Sequence, residues 1–256
     1  MADNGIIQSV QRTFKVIYAL CGMPEGLSLT QLSENVGLHK STVSRILNTL
    51  KTDNLIKQNN DSLKYSLGNG FLEISLKYLG GFELRKISYP YMQKLQEVVG
   101  ETINLAILDF DEIIYIERVV SPLPLRHSMK IGDRAPACST ALGKAMLAFS
   151  EEVFVKKILS GKALDKNIPR TKVQIDQFLE ELSQIRSTKI AFDNRIHQEH
   201  IRCLGSAIIN SQKKVFGAIS VSGPASRMSD DKLFEIKQAV LNTVNEISQE
   251  LDWNID

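Results

Sequence analysis

The chain has 256 residues, 43% of them hydrophobic and 23% charged, which is the balance of a soluble globular protein with room for one large domain or two ordinary ones. A formal net charge of +2 is too small to mark a nucleic-acid binder by bulk electrostatics, and the excess lies wholly in residues 1–80, which hold eight Lys/Arg against six Asp/Glu. The start, MADNGIIQSVQ, lacks the pattern of a secretory signal, and no run of about 18 apolar residues could span a bilayer. Cys21, Cys138 and Cys203 lie far apart with no CxxC pair, so reduced thiols and a cytoplasmic location are expected.

Three helical patterns come first. Val10, Phe14, Ile17, Tyr18 and the pair Leu20–Cys21 make one apolar stripe, which closes at Gly22 with Pro24 just beyond. In "SLTQLSENVG", Ser28 and Gln31 form a capping box, Leu29, Leu32 and Val36 the apolar side, and Gly37 a stop. In "LHKSTVSRILNTLKTDNLI", Val43, Ile46, Leu47 and Leu50 keep the 3.6-residue period of a helix with one buried face. Lys40, Ser41, Ser44, Arg45, Asn48 and Lys51 are left for the other face, and no acidic residue occurs between Glu34 and Asp53. Such a face is either plain solvated surface or a surface built for phosphates and base edges, which hydroxyls, amides and Arg both suit.

Two short helices joined by a tight turn containing Gly form the helix-turn-helix pattern, whose second helix lies in the major groove. "LIKQNNDSLKYSL" follows, with Leu63, Tyr65 and Leu67 alternating with Lys64 and Ser66 around a turn at Asn59, Asn60 and Asp61. A hairpin directly after a recognition helix is a wing. On the local pattern alone, a small helical bundle stays open as the alternative.

Several long motifs now occur in one order. "IIQSVQRTFKVIYAL", "GLSLTQLSENVGLHKSTVSRILNTL" and "KYSLGNGFLEISLKYL" resemble the DNA-binding domain and linker of the IclR family of bacterial transcriptional regulators. "RAPACSTALGKAMLAF", "IRCLGSAI" and "GAISVSGPASRMSDDKL" resemble its effector-binding domain. The resemblance implies a winged helix-turn-helix domain over residues 5–68, a linker and dimerisation helix over 69–88, and a GAF-like effector-binding domain over 89–254. Lys40, Ser41, Thr42, Ser44, Arg45 and Asn48 would then face double-stranded operator DNA.

Phe71, Leu72, Ile74, Ser75 and Tyr78 give an apolar face to a helix of about ten residues, too short to stand alone. It packs either on a second copy, as a homodimer or dimer of dimers, or on its own C-terminal domain. From Glu101 the pattern changes to strands. "TINLAILDF" and "IIYIERVV" meet at Asp111–Glu112, and "LRHSMKIG" reads as a third extended piece. Helices are expected in "STALGKAMLAFS", in "EEVFVKKILSG", and in "TKVQIDQFLEELSQI", where Val173, Ile175, Phe178, Leu179 and Leu182 form the stripe. "KIAFD", "RCLGSAII" and "KVFGAISVSG" read as strands, and a last helix starts near Ser229 with Asp230 and Asp231 in its first turn. The fold class is α+β, with a largely antiparallel sheet flanked by helices.

On "GAISVSG" the two-residue period puts Ala218, Ser220 and Ser222 on one face. The resemblance assigns Ser220 and Ser222 to an effector pocket, together with Thr140, Ala141, Asp193 and Cys203, and Leu123 and Leu125 would supply an apolar wall. Small residues at the start of a helix leave backbone N–H groups for an anion, so a small carboxylate with a hydroxyl or keto group suits the mix. The chain departs from the family pattern at Cys138, where a His is common, and at His200, where a Gly is common. Repression is favoured over activation, and no cofactor is expected.

Two other readings compete. Asp193, His197, His200 and Cys203 fall within eleven residues, which raises a zinc site or a Cys–His nucleophile pair, although loop spacing does not define tetrahedral geometry. The winged helix could also bind protein. No other stretch offers an enzyme's nucleophile–base or phosphate-loop motif.

Overall fold

Ser28 and Gln31 cap each other at the head of the second helix in the computed structural model, which describes residues 5–79, 83–124, 129–160, 171–194 and 199–253. The Gln31 amide donates to Ser28 Oγ at 3.3 Å and the Ser28 amide to Gln31 Oε1 at 2.9 Å, so two of the helix's orphan donors are met reciprocally. That helix, α2 (Leu29–Val36), follows α1 (Gln8–Leu20) and ends at Gly37, whose φ of 66° is strained for any residue with a Cβ. The chain then enters α3 (Lys40–Thr52), β1 (Ile56–Gln58), β2 (Tyr65–Leu67) and α4 (Gly70–Leu79). β1 and β2 pair antiparallel, with Lys57 opposite Ser66.

Val16, Leu20, Leu32, Val43, Leu47, Leu50, Ile56 and Tyr65 make the core of this unit. One expectation fails. Val10, Phe14 and Tyr18, read from sequence as part of the buried stripe of α1, are 47%, 52% and 71% exposed. They recur every four residues and form a second apolar face, while Val16 and Leu20 fill the core.

The chain divides into two units between Phe82 and Glu83. The second contains α5 (Glu83–Val99), β3 (Thr102–Asp109), β4 (Glu112–Val119), β5 (Arg134–Pro136), α6 (Ala141–Ala148), α7 (Glu152–Ser160), α8 (Lys172–Thr188), β6 (Ala191–Asn194), β7 (Ile201–Ile209), β8 (Val215–Pro224) and α9 (Asp230–Trp253). The sheet runs β5-β4-β3-β8-β7-β6 and every neighbouring pair is antiparallel. The third strand expected at 125–132 is instead β5, at Arg134–Pro136, paired with the start of β4. Residues 125–128 lie outside the described ones.

Alternation along the strands sorts the two faces. Ala106, Ala207 and Ala218 pack with Leu142 and Ala145 of α6 and with Phe178 and Leu182 of α8. On the other face α5 lies close enough that a Cβ on Gly217 would fall 2.9 Å from Leu84, and Arg85 pairs with Glu117 at 2.8 Å. Val173, expected on the buried stripe of α8, is 65% exposed, because the helix buries Phe178, Leu182 and Ile185 instead.

Candidate functional site

On α3, Val43, Leu47 and Leu50 point into the first unit, and this sets the direction of everything else on the helix. Lys40, Ser41, Arg45 and Asn48 are exposed, while Thr42 and Ser44 are half-buried at its flanks. The helix starts on His39, whose Nδ1 accepts from the Ser41 amide at 3.3 Å and lies 2.8 Å from Ser41 Oγ. Lys51 donates to Gln58 Oε1 at 3.3 Å and ties α3 to the hairpin. Thr42 and Arg45 also border a groove of about 440 Å³ whose other wall carries Arg12 and Thr13 of α1. Lys57, Ser62, Lys64 and Ser66 of the hairpin line a second polar hollow of about 400 Å³. Nothing in the sequence pattern marks Arg12, Lys57 or Lys64 beyond their positive charge.

In the second unit the register of three strand pairs builds a polar patch inside an otherwise apolar layer. Ser220 stands opposite Asn104 on one side and Gly205 on the other, and Ser222 opposite Thr102 and Cys203. Cys203 in turn stands opposite Asp193. Asn104, Ser220, Ser222, Cys203 and Asp193 therefore share the face that looks toward α6. Asn104 Nδ2 donates to Ser222 Oγ at 3.1 Å, and the hydroxyls of Ser220 and Ser222 are 3.4 Å apart. Asn104, Asp193, Ser220 and Ser222 are each at most 3% exposed. Cys203 keeps some surface but its thiol is enclosed: burial and the charge of Asp193 push it up to about 12, against smaller opposing pulls from a Ser222 hydrogen bond and from Lys144.

The start of α6 sits directly over this patch. A Cβ on Gly205 would lie 3.2 Å from the Ala141 backbone, so the glycine is what lets the helix approach. Thr140 is the N-cap; its Oγ1 accepts from the Gly143 amide at 3.1 Å and donates to the Pro136 carbonyl at 3.2 Å. With the Lys144 amide bonded to the Thr140 carbonyl, the Ala141 and Leu142 amides are what the helix start offers an anion. Lys144 is 1% exposed and its Nζ meets Glu181 Oε1 at 2.6 Å.

A bulge extends the patch across β4. Ala106 stands opposite Tyr115 but Leu105 opposite Glu117, so Ile116 is the extra residue and Arg118 falls opposite Asn104. Tyr115 and Arg118, three residues apart, thus share the polar face. Burial, with Cys203, Asp193 and Asp133 nearby, raises the Tyr115 phenol well above its ordinary range, and Arg118 opposes this only in part. The phenol stays a neutral donor near pH 7.

Leu123 is 39% exposed, unlike the buried residues of the patch. Leu125 and His197 lie outside the described residues. His200 is exposed, with its carbonyl accepting from the Ala225 amide at 2.9 Å, and among the described residues no three His, Cys, Asp or Glu side chains converge as a metal site would require. Cys138 is buried in the core beside Leu142.

Residues 9–60 match the IclR helix-turn-helix domain, and residues 76–249 match the C-terminal domain of the bacterial transcriptional regulator IclR. The chain belongs to the IclR family. It is a DNA-binding regulator of transcription, as the family's members are. Over 97% of its length it is 32% identical to the HTH-type transcriptional regulator KdgR of Escherichia coli K12, covering 94% of that protein. Over 96% it is 31% identical to the transcriptional repressor IclR of the same organism, covering 90% of it. The fold is that of the Thermotoga maritima IclR structure (TM-score 0.78, 23% identity, covering 95% of this chain and 98% of that one). It is also that of an IclR homologue from Microbacterium hydrocarbonoxydans solved with 4-hydroxybenzoate (TM-score 0.80, 18% identity, 95% and 98%). Among the described residues no helix is long and apolar enough to cross a membrane.

Within this family member, Asn104, Arg118 and Lys144 join the polar patch without having been singled out in the sequence. Thr102 and Asn104 did carry a signal, two polar residues at a spacing of two inside an apolar strand. Lys144 carried another, one charge in a helix of small and apolar residues. Arg118 carried none, because its face depends on the bulge.

Proposed function

We propose that the protein is a transcriptional repressor whose C-terminal unit binds a small organic acid, and that this binding changes its affinity for operator DNA. One observation carries the reading: Asn104, Asp193, Cys203, Ser220 and Ser222 gather in a layer that is otherwise apolar, beneath the start of α6. Buried polar groups are costly unless matched, so a cluster of this size is better suited to a polar ligand than to packing. The carboxylate would sit against the Ala141 and Leu142 amides, with Arg118 and Lys144 adding positive charge. Named relatives include a repressor IclR and an acetate operon repressor, which favours repression here.

In the first unit Lys40, Ser41, Arg45 and Asn48 would meet the major groove, Thr42 and Ser44 its edges, and Lys57 and Lys64 the backbone. The exposed apolar faces of α1 and α4, carrying Phe14, Tyr18, Leu72 and Ile74, suit a homodimer that presents two such helices to a two-fold related operator in the cytoplasm. The effector domain spans 89–254, behind a linker over 69–88. The test is a titration of the protein on the DNA flanking its own gene, with and without small carboxylates. Binding that no acid alters would leave a DNA-binding regulator without this switch.

A further inference from the structure

We infer that the effector carries a hydroxyl group as well as its carboxylate, and that Asn104 reads it. The inference rests on the acid-binding reading above and deepens it. Asn104 lies in the middle of β3, 1% exposed, on the face shared with Ser220 and Ser222. Its amide nitrogen donates to Ser222 Oγ at 3.1 Å, which fixes the side chain and turns the carbonyl end the other way. That carbonyl, Oδ1, is buried and has no hydrogen-bond donor among the described residues. Most buried polar atoms in folded proteins are partnered, so an acceptor left open beside two hydroxyls in a ligand site calls for a donor from the ligand.

The arrangement divides the ligand's two polar groups. The Ala141 and Leu142 amides at the start of α6 take the carboxylate, while Arg118 stands opposite Asn104 on β4 and Lys144 is paired with Glu181. Asn104 Oδ1 is an acceptor, as are the carboxylate oxygens of Asp193, two strands from Ser222 on the same layer. A hydroxyl donates to such atoms. A keto oxygen in the same place sets lone pair against lone pair, and a bare methylene displaces the water that would otherwise serve Oδ1 without replacing its bond. Discrimination then comes mostly from the penalty on the wrong ligand, as in sites that hydrogen-bond a substrate hydroxyl. Asn104 and Gly205 flank Ser220 on opposite sides, about 4.8 Å per strand, so the hydroxyl is not confined to the carbon next to the carboxylate.

Matched probes test this by calorimetry on the intact protein: lactate with pyruvate and propionate, 3-hydroxybutyrate with acetoacetate and butyrate, and 4-hydroxybenzoate with benzoate. The tightest series should favour its hydroxy acid at least about tenfold over each partner. In Asn104→Leu, which keeps the branched skeleton without its polar atoms, that ratio should fall toward one while the deoxy acid still binds. A keto or deoxy acid that binds as tightly as its hydroxy partner overturns the Asn104 assignment and leaves the acid site standing. The wild-type ratios decide this even if the variant fails to fold. If no probe of any series binds, the acid site itself fails and the assignment falls with it.

Discussion

Ser220 and Ser222 lie two residues apart on β8 with their hydroxyl oxygens 3.4 Å apart on one buried face. Ser222 also takes the Asn104 amide, whereas Ser220 holds no such amide among the described residues. The two therefore differ in what their removal leaves behind. Ser222→Ala should lower stability by about 1–3 kcal/mol, the cost of a buried donor without an acceptor, and Ser220→Ala by less. Urea unfolding of the two variants checks the order; equal losses would mean that the Asn104–Ser222 bond contributes nothing.

Arg45 projects from the middle of the exposed face of α3, and Lys57 from the hairpin. Arg45→Ala should weaken operator binding by about 1–3 kcal/mol, the usual worth of one base contact. Lys57→Ala should weaken all DNA alike and reduce the slope of log K against log salt by about one. Fluorescence anisotropy at several salt concentrations separates the two behaviours. An Arg45→Ala protein with wild-type affinity would remove that residue from the interface.

Phe14 and Tyr18 expose rings whose centroids are 6.4 Å apart, on a helix that already buries Val16 and Leu20. Phe14→Glu should leave the fold intact, since the core of the first unit does not use this ring, but should shift the assembly toward monomer. Light scattering at micromolar concentration reads the outcome. An unchanged oligomer would place the interface away from α1.

The Cys203 thiol is pushed up to about 12, against about 8.5 in an unfolded chain. The sign follows from which state ionises first. Above pH 8.5 the unfolded chain releases the thiol proton and the folded one keeps it, so the contribution is fully present below that pH and is lost as pH rises toward 12. Wild type should lose stability relative to Cys203→Ala by up to about 1.4 kcal/mol per pH unit in that window. Parallel curves for the two proteins between pH 8.5 and 10.5 would show the thiol to be less enclosed than the geometry indicates.

Much of this was legible in the sequence for identifiable reasons. The capping box at Ser28–Gln31 and the apolar period of Val43, Leu47 and Leu50 are local patterns, and local patterns survive folding intact. Ser220 and Ser222 share a face because a strand alternates strictly. What escaped depends on partners distant in sequence. Arg118 reaches the polar layer only through the bulge at Ile116, which breaks the alternation that would have put it on the opposite face from Asn104's neighbours. The period of Val10, Phe14 and Tyr18 shows that their face is apolar and not what covers it. The strand Arg134–Pro136 is only three residues long, too short for alternation to announce it.

On the function proposed above, an acid held in the polar layer of the second unit changes the affinity of the first for DNA. The most direct measurement is operator affinity titrated with a panel of small carboxylates, for wild type and for the protein carrying both Ser220→Ala and Ser222→Ala. The expected result is a change of about 5–150-fold in wild type by at least one acid, with the same factor appearing in the acid's affinity when operator DNA is bound. In the double variant the change should be lost while DNA binding without acid persists. Equal responses from the two proteins would contradict the claim and place the effector elsewhere.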